Sequence, residues 1–329
     1  MDQLHAVILA AGEGKRMHSK LPKVVHPLCG RPMIEYILEG AASLTKDVTI
    51  VVGHGASQVK ETLGDGWRYV LQEEQLGTGH AVMQAVEHLP GDGRLLVLCG
   101  DTPLLKSSEL KQLVDKQKNL AAAVATTIMT DPTGYGRIIR DESGHLREIV
   151  EDKDASSEVK KIGEINTGTY CFDLELLKHF LPLLKTDNIQ QEYYLTDVLS
   201  LMRREGKVSA IYTFPDYRVG LGINNRVQLA AAEKILRRRI NRSLMELGVT
   251  MVDPENTYID YNVQVGKDTV ILPGSVILQG TVIGSDCIIG PHAHLISAVI
   301  KDRAVIHSSV IKNRTIGEGA VIGPYQSEG

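Results

Sequence analysis

Hydrophobic positions along this chain follow two different rhythms. In the first, short uninterrupted apolar runs end at turns: Ala6–Ala10, Val48–Val52, Tyr69–Leu71 and Leu95–Cys99. Runs this short and this continuous read as strands of a parallel sheet covered on both faces. Pro32–Leu38 starts with proline and then places apolar residues at helical spacing, which predicts the first helix; another is predicted from about His80 to His88. Ala121–Thr127 and Val208–Phe214 predict further strands, and Glu192–Asp197 opens a helix. Between 131 and 170 the pattern breaks into short alternating segments and turns, the mark of an inserted β-rich lobe.

The second rhythm follows a long helical pattern, about Asn225 to Leu247, in which Leu229, Leu236, Ile240 and Leu244 line one face. Ile259, Val265, Ile271, Ile277, Ile283, Ile289 and Leu295 are each six apart, and Gly266, Gly284 and Gly290 directly follow three of them. That period predicts a parallel β-helix, each short strand turning one apolar residue into a narrow core. Val299, Val305 and Ile311 resume the period after a shift, and Ile316 and Ile322 after another, so small irregularities are expected at coil corners. The expected organisation is an α/β domain over 1–225, a linker helix over 226–250 and the β-helix over 251–329.

Composition narrows the function classes. A length of 329 residues suits two domains, and 43% hydrophobic with 23% charged residues is ordinary for a soluble globular chain. A net charge of −4 offers nucleic acid or an anionic membrane no electrostatic purchase. Lys234, Arg237, Arg238, Arg239 and Arg242 make the long helix basic, which reads as a solvated face. Cys29, Cys99, Cys171 and Cys287 form no C-x-x-C pair, which argues for a reducing compartment and against zinc. The N-terminus has no basic, apolar, cleavable leader and no run of about 18 apolar residues occurs, so the expected location is cytoplasmic.

The chemistry concentrates in Leu9-Ala10-Ala11-Gly12-Glu13-Gly14-Lys15-Arg16-Met17, with Leu21-Pro22-Lys23 behind it. Glycines at a strand end present bare backbone amides to an anion, and Arg16 and Lys23 add two positive charges. The competing reading is an ordinary strand-to-helix turn with two surface cations. A dinucleotide fingerprint fails because Met17 stands where a third glycine belongs, and a Walker A loop fails because Arg16 follows Lys15 where Ser or Thr is required. A second glycine-rich turn, Gln75-Leu76-Gly77-Thr78-Gly79-His80, follows another strand, so both loops should face one crevice. Thr78 is also suited to capping a helix. Gln72 carries an amide able to offer a donor and an acceptor to a pyrimidine edge. Gly100-Asp101 ends the most apolar run and makes Asp101 the leading metal ligand, with a capping role before Thr102-Pro103 as the alternative. His54 reads as a turn residue, and His292 and His294 as solvated surface of the solenoid.

The order Gly-x-Gly-x-Arg, a spacer, then Leu-Pro-Lys resembles the signature of sugar-phosphate nucleotidyltransferases. The string Leu76-Gly77-Thr78-Gly79-His80-Ala81 and the lobe motifs Gly134-Tyr135-Gly136-Arg137, Ile149-Val150-Glu151 and Glu164-Ile165-Asn166-Thr167-Gly168 sharpen it. Together with Gly222-Ile223-Asn224 and the hexapeptides, the chain resembles the bifunctional N-acetylglucosamine-1-phosphate uridylyltransferase / glucosamine-1-phosphate acetyltransferase family. The resemblance implies a Rossmann-like nucleotidyltransferase domain with a mostly parallel mixed sheet, followed by a short left-handed parallel β-helix. It implies UTP and N-acetylglucosamine 1-phosphate as substrates, giving UDP-N-acetylglucosamine, a precursor of peptidoglycan and lipopolysaccharide, and pyrophosphate. In its terms Leu9, Ala10, Ala11, Gly12, Gln72, Gly77 and Thr78 bind the nucleotide, and Arg16 and Lys23 are catalytic. Gly100, Gly136, Glu151, Asn166 and Asn224 bind the sugar, and Asp101 and Asn224 hold Mg2+. Full solenoids of the family form trimers, so a homotrimer through the β-helix is the expected assembly. The family's acetyl-transfer residues lie in later coils, so the chain reads as a truncation without acetyltransferase activity.

Overall fold

The computed structural model describes residues 3–328. The chain divides into two compact units, one of 1–26 with Pro32–Asn225, the other of Pro27–Arg31 with Arg226–Gly329.

The first unit is built on a nine-stranded mixed sheet. Its strands are β1 (Leu4–Ala10), β2 (Val48–Val52), β3 (Arg68–Leu71), β4 (Arg94–Cys99), β5 (Ala122–Ile128), β6 (Arg137–Arg140), β7 (Leu146–Val150), β8 (Glu164–Asp173) and β9 (Ser209–Thr213). The order is β9-β5-β8-β4-β1-β2-β3, with β6 pairing β8 and carrying β7. β1, β2, β3 and β4 run parallel, as do β5 and β9, while β8 is antiparallel to both neighbours.

Alternate side chains of the central strands enter opposite layers, which is why the runs are apolar throughout. Val7, Val97 and Val124 pack against α3 (Thr78–Val86), α5 (Leu174–Phe180) and α6 (Thr196–Arg204). Ile8, Leu96 and Leu98 pack against α1 (Met33–Ala42), α2 (Ala56–Leu63) and α4 (Ser107–Gln117). The sequence pattern predicts neither α2, α4 nor α5. α2 fully buries a single residue, Val59, and its apolar stripe is no more than Ala56, Val59 and Leu63, too thin to read from sequence.

The second unit contains α7 (Arg226–Glu246) and a left-handed parallel β-helix made of three stacked parallel ladders. Ile259, Ile271, Ile277, Ile283, Ile289 and Leu295 fill its core. The expected phase beyond Leu295 is off by one residue at two positions. Ile300 and Ile306 point inward, 1% and 0% exposed, whereas Val299 is 41% exposed. The cause is that the turns after Leu295 and Ile306 are each one residue short, so inward positions fall five apart there rather than six. The cations of α7 are also not merely solvated. Arg238 pairs with Glu255 at 2.8 Å, Arg242 with Glu246 at 2.8 Å, and Arg237 stacks 4.2 Å over Tyr258. His292 is exposed at a turn, but His294 lies in a strand with its Nε2 buried and without a hydrogen bond.

Candidate active site

β1 delivers its end to a cavity of about 530 Å³, lined by Leu9–Arg16, by residues at the ends of β3 and β4, and by Lys23, Glu192 and Asn224. The neighbouring strands clamp that end: His54 N donates to Ala11 O at 3.2 Å and Gly100 N to Leu9 O at 2.9 Å. His54 is thus a turn residue, and Gly100 supports the floor without lining the cavity.

The first loop continues into a short 3-10 turn, Lys15–Met17, whose N-cap Gly14 has φ +63°. A Cβ on Gly14 would lie 2.7 Å from Lys23 Cβ, so glycine is what lets the loop close over Lys23. A Cβ on Gly12 would meet nothing within 4 Å, so open space lies over that backbone. The two cations differ in setting: Arg16 is exposed at the rim, while the Lys23 ammonium is mostly buried.

Lys23 Nζ donates to Asp101 Oδ2 and, at 3.0 Å, to Asn224 Oδ1. Ile223 N donates to the Asp101 backbone carbonyl at 2.9 Å, fixing the loop that carries Asn224 beside the end of β4. Asp101 therefore caps no helix; α4 begins later, at Ser107, with Lys106 as its N-cap. A carboxylate and an amide oxygen converging on one ammonium are the hard oxygen donors that suit Mg2+, which needs one or two protein oxygens beside phosphates and water. The residues present thus fit that ion. Among the described residues no group of three or more His, Cys, Asp or Glu could hold a metal.

On the opposite wall Gln72 is 3% exposed. Its Nε2 donates to Gly77 O at 3.2 Å and lies 3.1 Å from His80 Nδ1, while its side-chain Oε1 takes no hydrogen bond from the described residues. Thr78 is the first residue of α3 rather than its cap, and its hydroxyl accepts from Leu195 N at 3.2 Å. Gly77 and Gly79 pack against backbone: added Cβ atoms would stand 2.7 Å and 2.8 Å from Tyr193 O. That packing brings Glu192, a residue sequence reasoning missed, into the lining beside Gln75 of the glycine-rich turn. Glu192 belongs to no motif; only the paired glycines hint that another backbone must lie there.

Gly136, Glu151 and Asn166 do not line this cavity but form a cluster of their own. Asn166 N donates to Gly136 O at 2.8 Å, and a Cβ on Gly136 would lie 3.3 Å from Glu151 Oε2. A register shift in β8 between Asn166 and Tyr170 turns the strand here, and Gly168, at φ +73°, allows it. Asn166 Nδ2 donates to the Tyr170 hydroxyl at 2.6 Å, and Gly168 N donates to Asn166 Oδ1 at 3.1 Å. The Thr196 hydroxyl donates to Glu151 Oε1 at 3.2 Å. Burial, with Asp197, Asp154 and Glu192 nearby, raises the Glu151 carboxyl above the usual carboxylate range. Burial likewise raises Asp197 and Glu192, and pushes the Cys99 thiol up to about 12. Tyr170 and Thr196 were not legible as support for these residues from the sequence.

The family model described as MobA-like NTP transferase domain matches residues 6–162, and the one described as Bacterial transferase hexapeptide (six repeats) matches 262–296. The chain is 49% identical over 329 residues to Bifunctional protein GlmU of Enterococcus faecalis, covering 99% of this chain and 72% of that protein. Proteins of the same name from Caldanaerobacter subterraneus subsp. tengcongensis and Listeria innocua are 48% and 47% identical at the same coverage. A Bacillus anthracis structure described as a glucose-1-phosphate thymidylyltransferase in complex with sucrose matches with a TM-score of 0.57 and 20% identity. It covers 71% of this chain and 95% of that one, a likeness of fold alone.

Proposed function

The chain belongs to the family of bifunctional GlmU proteins and is a nucleotidyltransferase, and from that premise we propose that it joins UTP and N-acetylglucosamine 1-phosphate, giving UDP-N-acetylglucosamine and pyrophosphate. The observation that carries this reading is the convergence of Asp101 and Asn224 on Lys23 within the glycine-walled cavity.

The nucleophile is the sugar phosphate, largely dianionic at neutral pH because its second pKa is about 6, so no general base is required. What the protein must do is bring two anions together in line. Backbone amides of the Ala11–Gly14 turn cradle the triphosphate, and Arg16 and Lys23 offset charge on the α-phosphate and the departing pyrophosphate. Asp101 and Asn224 would hold Mg2+, which when bound supplies a Lewis acid for the phosphoryl oxygens. The Gln72 carbonyl accepts from the uracil imide, and the cluster of Gly136, Glu151 and Asn166 holds the amino sugar. Each Asn166 amide atom keeps one hydrogen-bonding position beyond those it spends on Tyr170 and Gly168.

The test is pyrophosphate release with Mg2+, comparing UTP with dTTP, ATP, CTP and GTP, then glucose 1-phosphate with the N-acetylated sugar. Turnover confined to UTP and N-acetylglucosamine 1-phosphate supports the reading; preference for another pair overturns the substrates. A reducing, cytoplasmic setting agrees with the four free cysteines; no described helix is long and apolar enough to cross a membrane. The assembly we propose is a homotrimer through the solenoid, to be checked by light scattering against the single-chain mass of 36.0 kDa.

A further inference from the structure

β1 and β4 each have a second end, and there the first unit holds another cavity, of about 680 Å³, formed where both strands begin and lined on one side by α4. Among the described residues four cations line it, Lys46, Arg94, Lys111 and Lys118, with Asp47 as the one carboxylate. Asp47 is already engaged: Oδ2 lies 2.5 Å from Nδ1 of the buried His5, and Oδ1 accepts from Arg68 at 2.8 Å. Among the described residues, none of the four lining cations pairs with a carboxylate.

Exposed lysines near a helix C-terminus have an ordinary explanation, since they complement the helix dipole. That explanation covers Lys118, which follows α4, and the contact of Arg94 with the last turn of α4, but not Lys46, just before β2, nor Lys111, in the middle of the helix. Arg94 sits at the start of β4, donates through one terminal nitrogen to Val114 O at 3.2 Å, and buries its Nε without a partner among the described residues. A buried N–H left without an acceptor is costly, and four like charges around one concavity repel in a chain that is negative overall. A polyanion seated in the concavity relieves the repulsion. An arginine fork with flanking ammonium groups is the usual recognition set for phosphoryl oxygens. The volume suits a small molecule, and the cations surround a hollow rather than lining a flat stripe, which disfavours nucleic acid or a membrane surface.

We propose that this cavity is a binding site for a small polyanion carrying two or more phosphoryl groups, separate from the nucleotide cavity. The inference goes beyond the proposed reaction and does not depend on it.

The probe is tripolyphosphate, titrated calorimetrically into the full chain carrying Arg16→Ala and Lys23→Ala, which silences the first anion site. The expected result is one remaining site whose dissociation constant rises at least about tenfold when Lys111→Glu and Lys118→Glu are added. Lys111→Gln with Lys118→Gln should give a smaller loss, and circular dichroism should show the same fold in every variant. Hydrogen exchange should slow at 44–47, 92–95 and 111–118. Unchanged affinity after charge reversal, or slowing confined to 9–23, overturns the site. Equal affinity for inorganic phosphate overturns the requirement for two phosphoryl groups. Binding of single-stranded DNA or anionic vesicles without tripolyphosphate overturns the small-molecule class.

Discussion

The Lys23 ammonium is shared between Asp101 and Asn224, 3.0 Å from the latter's Oδ1, so one cation ties the end of β4 to the loop that closes the first unit. The two oxygen donors are 123 residues apart in sequence, and the bond from Ile223 N to the Asp101 carbonyl at 2.9 Å holds their segments side by side. Lys23→Ala is expected to lower kcat by about 10²–10³, the scale of removing one preorganised electrostatic group, with little change in either KM. Steady-state kinetics decide it; a rise in KM at unchanged kcat would make Lys23 a ground-state binding residue instead.

Gly14→Ala tests the closure of the first loop. The new methyl would collide with Lys23 Cβ at 2.7 Å in a left-handed backbone conformation that costs about 1–3 kcal/mol without glycine. Thermal unfolding should show lower stability, and turnover should fall with it because Lys23 is displaced. Gly12→Ala, with open space over its backbone, should leave stability nearly unchanged while raising the KM for the nucleotide.

Glu151 couples binding to stability through pH. Its carboxyl is raised in the folded protein, so the native state holds a proton more tightly than the unfolded chain and stability falls as pH rises from the ordinary carboxylate range through the folded value. Glu151→Gln removes that penalty. Melting temperatures should show the variant more stable than wild type at neutral pH, with the gap closing in acid, while the KM for the sugar phosphate rises.

The solenoid offers a clean contrast between adjacent residues. Ile300→Ala empties a core position that is 1% exposed and should cost about 2–5 kcal/mol, whereas Val299→Ala, at 41% exposure, should cost well under half of that. Denaturant titration of the two variants separates them, and equal effects would overturn the inward assignment of Ile300.

How far the sequence could be read follows from how local each signal is. The strands β1, β2 and β4 were legible because both faces are buried, leaving unbroken apolar runs. The hexapeptide period was legible up to Leu295 and slipped at Val299, because the shortened turn removes a residue without changing the β-branched character of either neighbour. Asp101 follows Gly100 at the end of β4, Arg16 lies two residues past Gly14, and Lys23 belongs to the Leu21-Pro22-Lys23 string behind that loop, so their surroundings were foreseeable. Glu192 was not: it reaches the cavity through a backbone pairing of Tyr193 with Leu76 and Gly79, a contact that leaves no mark on residue type. Asn166 stood out only by resemblance, since its position depends on a strand irregularity that no local pattern announces.

The β6–β7 hairpin meets the main sheet through a single strand partner, with Ile165 opposite Arg137 as the register pair between β6 and β8. Because Ile165 also pairs Thr127 of β5, the hairpin takes the same edge of β8 that β4, the strand leading to Asp101, occupies further along. The hairpin is held far more firmly by its apolar face, Ile138, Leu146 and Ile149 packing into one core with α6, and by Arg203, which donates to Leu146 O at 2.8 Å. Lobe and helix are therefore a single mechanical block, and a substitution that loosens α6 reaches the hairpin before it reaches the strands that carry the phosphate loop.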